Sequence, residues 1–267
     1  MSNPKVTAPG LIEMKARGEK ITALTAYDYP TIRLLEQAEI DIALVGDSLG
    51  NVVLGYDTTL PVTMEEMLHH TKAVAYGADR ALVVVDMPFL SYQISGEQAL
   101  MNAGRFLKEG GAAAVKLEGG MEMAETVRRL VDVGIPVMGH LGMTPQSVHA
   151  LGGYKLQGQT DEAVERIMQG AESLQNAGAF AIVLEMIPAH VARQVTESVD
   201  VPTIGIGAGP YCDGQVLVIH DMLGLYDKFT PKFVKQYAQL GNIAVDAIKQ
   251  YAAEVKSGEF PGPEQSY

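Results

Sequence analysis

A single (β/α)8 barrel is the fold the sequence predicts, on three observations. Short apolar runs recur along the whole chain and alternate with stretches of helical spacing. No break in composition divides the 267 residues. The first run ends in Tyr27-Asp28-Tyr29-Pro30, without the G-x-G-x-x-G turn that an open doubly wound sheet would usually carry there. Strands of a parallel sheet are covered on both faces, so they read as continuous apolar runs. Closing eight strand–helix units into one barrel is the simplest solution.

The elements follow in order. Thr7 can cap a short helix to about Arg17, with Pro9 in its first turn and Gly18 at its end. Strand one is 21–27, followed by a helix at 30–38 with Ile32, Leu35 and Ala38 at helical spacing. Strand two is 42–47. Thr63 with Glu66 forms a capping-box pattern for a helix over 63–76. Strand three is 81–87, and a helix runs from Ser95 to about Lys108, where Gly110-Gly111 stop it. Strand four is 113–118, and the helix 121–133 carries Val127, Leu130 and Val131 on one face. Strands five (136–140) and six (180–185) are joined through a helix at about 160–176. Strands seven (202–206) and eight (215–219) precede a helical region at 231–256. One domain over 1–267 is expected, with a short N-terminal helix and a Gly/Pro tail from about 257.

Composition narrows the function classes. The chain is 47% hydrophobic, enough for a large core, and its net charge of −12 disfavours a nucleic-acid partner. No apolar stretch is long enough for a membrane span, and MSNPKVTAPG has no apolar core of a signal peptide. The single cysteine, Cys212, cannot form an internal disulfide, which fits a reducing cytoplasm.

Five of the apolar runs close on groups able to bind a cation or move a proton, where barrels of this class keep their chemistry. Asp47 and Ser48 end strand two, and Asp86 ends strand three. Neighbouring strands lie about 4.8 Å apart, so the two carboxylates can reach one hard cation such as Mg2+, or each can cap its own turn. Lys116 and Glu118 are two apart on strand four and share one face. They can meet an anionic substrate and support a metal, or form a structural ion pair with each other or with Asp86. His140 closes strand five. Glu185 follows six apolar residues, and burial there would raise its pKa towards a useful base range, unless it is a bonded core carboxyl. Residues 203–209, TIGIGAG, suit either phosphate or close packing, and Cys212 has no basic neighbour to make it a nucleophile. The long connections 48–62 and 141–159 lie on the side where loops cover an active site.

The runs TAYDYP, VGDSLGNVVLGYDTTLPVT, DMPF, VKLEGG, PVMGHLGMTPQSV, GGYKLQGQ, LEMIP and GIGAGPYCDGQVLV, in this order, resemble the ketopantoate hydroxymethyltransferase family from about residue 5 to 255. The resemblance implies a barrel of the phosphoenolpyruvate/pyruvate type. It also implies transfer of a hydroxymethyl group from 5,10-methylenetetrahydrofolate to 3-methyl-2-oxobutanoate through a Mg2+-stabilised enolate, the first step of pantothenate synthesis. Asp47, Asp86 and Glu118 are then the metal residues. Asp47, Ser48, Asp86, Lys116 and His140 are the oxo-acid residues, and Glu185 is the proton acceptor. A large homo-oligomer, a decamer, is implied as well. The rival reading is a Mg2+-dependent lyase or mutase acting on a 2-oxo acid in the same barrel type. Such lyases usually need a reactive cysteine in a mobile loop.

Overall fold

The computed structural model describes residues 4–267. Eight strands pair in chain order and close: β1 (Ile21–Thr25), β2 (Ile42–Val45), β3 (Leu82–Asp86), β4 (Ala114–Lys116), β5 (Val137–Gly142), β6 (Ala181–Glu185), β7 (Thr203–Ile206) and β8 (Gly214–Leu217). All pairs are parallel, and β8 returns to β1 with Ile21 opposite Gly214. The expected (β/α)8 barrel is the observed fold.

The helices are α1 (Ala8–Ala16), α2 (Tyr29–Gln37), α3 (Leu49–Val52), α4 (Met64–Gly77), α5 (Gly96–Lys108), α6 (Ala124–Asp132), α7 (Asp161–Asn176), α8 (Ala189–Ser198), α9 (Ile219–Met222) and α10 (Leu240–Ser257). Their starts follow local chemistry. Thr7, Asp28, Ser95 and Thr160 each accept a backbone N–H of the first turn. The Thr63–Glu66 capping box is complete in both directions.

The barrel floor is apolar. Val6, Ala8 and Leu11 of the N-terminal segment pack with Ile21, Ala23, Ile42, Leu82, Ala114, Phe180 and Val216 in one buried cluster. Lys15 fastens α1 there: its ammonium donates to the carbonyls of Thr196, Val199 and Val201 at 2.8–3.0 Å and pairs with Asp213 at 3.0 Å.

The same cluster defines the inward parity of each strand. It holds Val84 of β3, Ala114 of β4, Met138 of β5 and Val183 of β6. Side chains alternate along a strand, so the residues two further on also point inward. Those residues are Asp86, Lys116, His140 and Glu185. The period-2 rule thus lifts four polar groups from an apolar floor towards the C-terminal mouth.

Several boundaries differ from expectation. Strands one and two end at Thr25 and Val45, so Asp47 and Ser48 lie in the turn that leads into α3, a helix not expected. The segment between strands six and seven, which carried no expected element, forms α8, with Val191, Ala192 and Val195 on its buried face. No helix separates β7 from β8. The helical region expected from 231 begins only at Leu240. Tyr237, Leu240 and Gly241 donate their N–H groups to the carbonyls of Met222, Leu223 and Gly224, which removes them from i−4 pairing before that point.

The chain divides into two compact units, Met1–Leu217 and Val218–Tyr267. The first is the barrel, and the second holds α9 and α10. No residue of α10 is buried, and Ile243, Ile248 and Tyr251 are among its exposed large apolar side chains. Among the described residues no helix is long and apolar enough to cross a membrane.

Candidate active site

The strand ends bring six of the seven singled-out residues into one connected cluster. Asp86 and Lys116 face each other in register on β3 and β4, and Lys116 Nζ lies 2.9 Å from Asp86 Oδ1. The ion pair weighed as an alternative for Lys116 therefore forms, with Asp86. Asp47 is held by its backbone, whose N–H donates to Asp86 Oδ2 at 3.0 Å. On the other side Lys116 Nζ is 3.2 Å from His140 Nδ1, and His140 Nε2 is 3.2 Å from Glu185 Oε2. Glu118 Oε1 is 3.6 Å from His140 Nδ1. Asp47, Asp86, Lys116, Glu118 and His140 are all buried, while the Glu185 side chain keeps 15% exposure.

This arrangement assigns the imidazole tautomer. An ammonium has no acceptor lone pair, so His140 Nδ1 must accept from Lys116, and its proton resides on Nε2, facing Glu185. Burial, then the adjacent Lys116 charge, holds the His140 pKa well below its ordinary value, so the ring is neutral.

The carboxylates crowd one another. Burial, reinforced by Asp86, pushes Asp47 up to about 7. Burial and then Asp47 push Glu118 well above the usual carboxylate range. Glu185 is raised to about 8, chiefly by burial, with Lys116 opposing. Burial alone would lower the Lys116 pKa, but Asp86, Glu118 and Asp47 outweigh it and move it upward, so the lysine stays charged.

The donor set suits a hard divalent cation. Asp86 Oδ1 is buried without a well-formed hydrogen bond, apart from the nearby Lys116 ammonium. Asp47 and Glu118 each have one oxygen tied by hydrogen bonds from Gln146. Among the described residues no group of three His, Cys, Asp or Glu side chains is placed to hold a metal by itself. Mg2+ commonly binds through one or two carboxylates and keeps waters or substrate oxygens for the rest, so a two-aspartate site with Glu118 behind a water fits these residues.

Ser48 stands beside the carboxylates but bonds elsewhere, its hydroxyl lying 2.9 Å from that of Tyr27. Tyr27, which follows β1, was not singled out as a site residue. Tyr92 and Gln146 were also not singled out. Tyr92 is fully buried, its hydroxyl accepting from Glu118 N at 3.0 Å and lying 2.8 Å from Gln146 Oε1. Residues 203–209 pack tightly: a Cβ on Gly205 would meet Cys212 Sγ at 3.0 Å and the Gln215 side chain at 3.1 Å, and Cys212 is itself buried. Close packing accounts for this glycine.

Backbone strain frames Glu185. Met186, the next residue, has φ of 45°. It is held by its N–H to the Ile206 carbonyl and by Gln157 N–H to its own carbonyl, both at 2.9 Å. Gly142 has φ of 94°, and a Cβ there would collide with the Glu185 carbonyl oxygen. Gly142→Ala is expected to displace Glu185 and lower kcat by about 10²-fold while the barrel still folds, which steady-state kinetics with circular dichroism will check.

Known proteins give a consistent picture. The model of the family described as ketopantoate hydroxymethyltransferase matches residues 5–263. A 3-methyl-2-oxobutanoate hydroxymethyltransferase of Heliobacterium modesticaldum is 59% identical over 98% of this chain and 95% of its own. One of Carboxydothermus hydrogenoformans is 60% identical, with the same coverage. Among solved structures, a phosphonopyruvate hydrolase in complex with oxalate and Mg++ aligns with a TM-score of 0.63 at 14% identity, over 97% of this chain and 93% of its own. A 2,3-dimethylmalate lyase of the PEP mutase/isocitrate lyase superfamily aligns at 0.60 and 18% identity, over 98% and 93%. These two share the barrel fold. The chain is a member of the ketopantoate hydroxymethyltransferase family, and so an enzyme.

Proposed function

We propose that the enzyme transfers a hydroxymethyl group from 5,10-methylenetetrahydrofolate to 3-methyl-2-oxobutanoate, giving 2-dehydropantoate, the first step of pantothenate synthesis. The observation that carries the reading is the line of groups across the barrel mouth, from the Asp47–Asp86 pair through Lys116 and His140 to the raised carboxyl of Glu185. It supports a reading with a cation site and an anion partner on one side and a base on the other.

Asp47 and Asp86 would hold Mg2+, with Glu118 supporting it through water. When bound, the cation supplies Lewis acidity to the 2-oxo group, beside which the enolate charge develops. Lys116 is the fixed positive charge for the oxygen-rich end of the oxo acid, and Ser48 is a hydroxyl partner for the same end. Glu185 accepts the C3 proton. Water releases the one-carbon unit from the folate at the formaldehyde level, breaking both of its C–N bonds and leaving tetrahydrofolate; the C3 carbanion attacks that carbon, and the resulting alkoxide takes the proton back from Glu185. His140 Nε2 stands 3.2 Å from Glu185 Oε2 without a well-formed hydrogen bond and is the polar neighbour of that carboxyl. No covalent nucleophile is needed. The lyase alternative would need a reactive thiol, and burial pushes the Cys212 pKa up, away from thiolate.

Mg2+-dependent exchange of deuterium into C3 of 3-methyl-2-oxobutanoate, without folate, tests the reading; absence of exchange would sink it. The exchange rate has a set pH dependence. The base must be deprotonated, and its carboxyl lies at about 8. With Mg2+ saturating, so that Asp47 is already deprotonated, log kcat/KM is expected to climb with unit slope from pH 6, bend near 8 and level off above. A flat profile from pH 6 to 9 would remove Glu185 from the base role.

Residues 1–267 are taken as one catalytic domain, for which a single cooperative unfolding transition is the check. The exposed apolar side chains of α10 support self-association; the assembly is read as a decamer and its place as the cytoplasm. Sedimentation equilibrium measures its size.

A further inference from the structure

We propose that Gln146 is a positioning residue that aims both Asp47 and Glu118, and that the Tyr92 hydroxyl locks it in place. The proposal rests on the reading that these carboxylates serve a divalent cation, and the chemistry above uses neither Gln146 nor Tyr92.

Gln146 lies in the one-turn 3-10 helix Pro145–Ser147, early in the β5–α7 connection, and is buried. Its Nε2 donates to Asp47 Oδ2 and to the Met87 carbonyl, both at 2.9 Å. Its Oε1 accepts from Tyr92 Oη at 2.8 Å and from Gln93 Nε2 at 3.1 Å. Its backbone N–H donates to Glu118 Oε2 at 3.0 Å. One residue therefore ties the turn after β2, the end of β3, the turn after β4 and the loop after β5.

The amide can face only one way. Asp47 Oδ2 as a carboxylate oxygen and the Met87 carbonyl accept and do not donate, so a flipped amide would set Oε1 against two acceptors. Tyr92 and Gln93 supply the donors for the other end. Both donors and the acceptor of the side-chain amide are thus satisfied in the observed orientation.

The consequence is directional. Gln146 occupies one oxygen of Asp47 and one of Glu118. Among the described residues the second oxygen of each takes no hydrogen bond. A carboxylate tied at one oxygen presents the other along a fixed line, which is how outer partners of metal ligands act. A residue that only filled space would not choose which oxygens stay free.

Calorimetric titration of Mg2+ alone into the full-length wild type, Gln146→Leu, Tyr92→Phe and the double variant decides the matter. Gln146→Leu is expected to weaken Mg2+ binding by about 10–100-fold, and to raise the Mg2+ concentration for half-maximal C3 exchange in step. Tyr92→Phe is expected to weaken it by about 3–10-fold, since the amide loses its stronger lock and keeps Gln93. The double variant should lose less than the sum of the two single losses, because Tyr92 acts chiefly through the amide, its hydroxyl also accepting from Glu118 N. A cooperatively melting Gln146→Leu that binds Mg2+ like wild type overturns the proposal. If that variant does not fold, unchanged affinity in Tyr92→Phe overturns it instead. Additive losses in the double variant overturn the lock. A wild type without Mg2+ binding overturns the cation reading and the proposal with it, whereas binding wild type with unaffected variants overturns the proposal alone.

Discussion

Glu185→Gln is expected to fold, to bind Mg2+ with wild-type affinity, and to lose C3 exchange and overall turnover by about 10²–10⁴-fold, the range for removing a positioned general base. The substitution keeps size and leaves an oxygen to face His140 Nε2, 3.2 Å away, so the local geometry has no reason to collapse. It removes only the capacity to take a proton. A second consequence carries a sign. The folded carboxyl sits at about 8, above its ordinary value of 4.5, so the wild-type residue favours folding below about 4.5 and loses that contribution as the pH rises through about 8. Glutamine does not titrate. The variant should match the pH dependence of wild type poorly, gaining stability relative to it between pH 5 and 9, by at most a few kcal/mol. Lost exchange together with a raised melting temperature at pH 9 would mark a residue kept for chemistry at the expense of stability. Wild-type exchange in this variant would remove Glu185 from the mechanism.

Much of this site is legible in the sequence, because four of its members obey a period. Asp86, Lys116, His140 and Glu185 stand two residues beyond inward-facing apolar positions, so the strand rule alone aims them into the barrel. Asp47 and Glu118 follow by proximity in sequence, since each lies two residues past the last strand residue. What the period cannot reach is the loop-borne part. Gln146 meets Asp47 across 99 positions of chain, and that meeting depends on how the β5–α7 connection folds back. Tyr92 and Tyr27 read as ordinary core aromatics, and only their hydroxyl partners reveal more. A signal did exist for α8: Val191, Ala192 and Val195 have helical spacing behind Pro188. The residues 231–239 misled in the opposite sense. Their local pattern allows a helix, but the Tyr237 N–H is bonded to the carbonyl of Met222 at the end of α9, a choice that propensity does not contain.

Lys116→Met should change three measurable quantities, in a combination that no purely structural lysine would produce. Lys116 and Asp86 are each about 5% exposed at the side chain and 2.9 Å apart. Removing one partner of such a pair strands the other charge, at a typical cost of about 3–5 kcal/mol. Asp47 and Glu118 stand in the same cluster, and Lys116 lowers the pKa of both. Without it both carboxyls move further up and take protons more readily. Raised carboxyls lose their contribution as the pH rises, so the instability of the metal-free variant should be mild at pH 6 and full at pH 9. Mg2+ affinity should move the opposite way. A fixed cation next to Asp86 opposes a second cation at the same oxygens, and its removal should tighten Mg2+ binding by about 10-fold, since each 1.4 kcal/mol of relieved repulsion is that factor. Saturating Mg2+ would then recover about 2.7 kcal/mol or more of the lost stability once its concentration exceeds 100 times the dissociation constant. Activity should nevertheless remain low, with KM for the oxo acid raised, because the carboxylate of the substrate has lost its charge partner. Reduced metal-free stability, tighter Mg2+ and a raised KM together define a lysine placed for the anion. Unchanged Mg2+ affinity with unchanged KM would reduce Lys116 to a structural ion pair with Asp86.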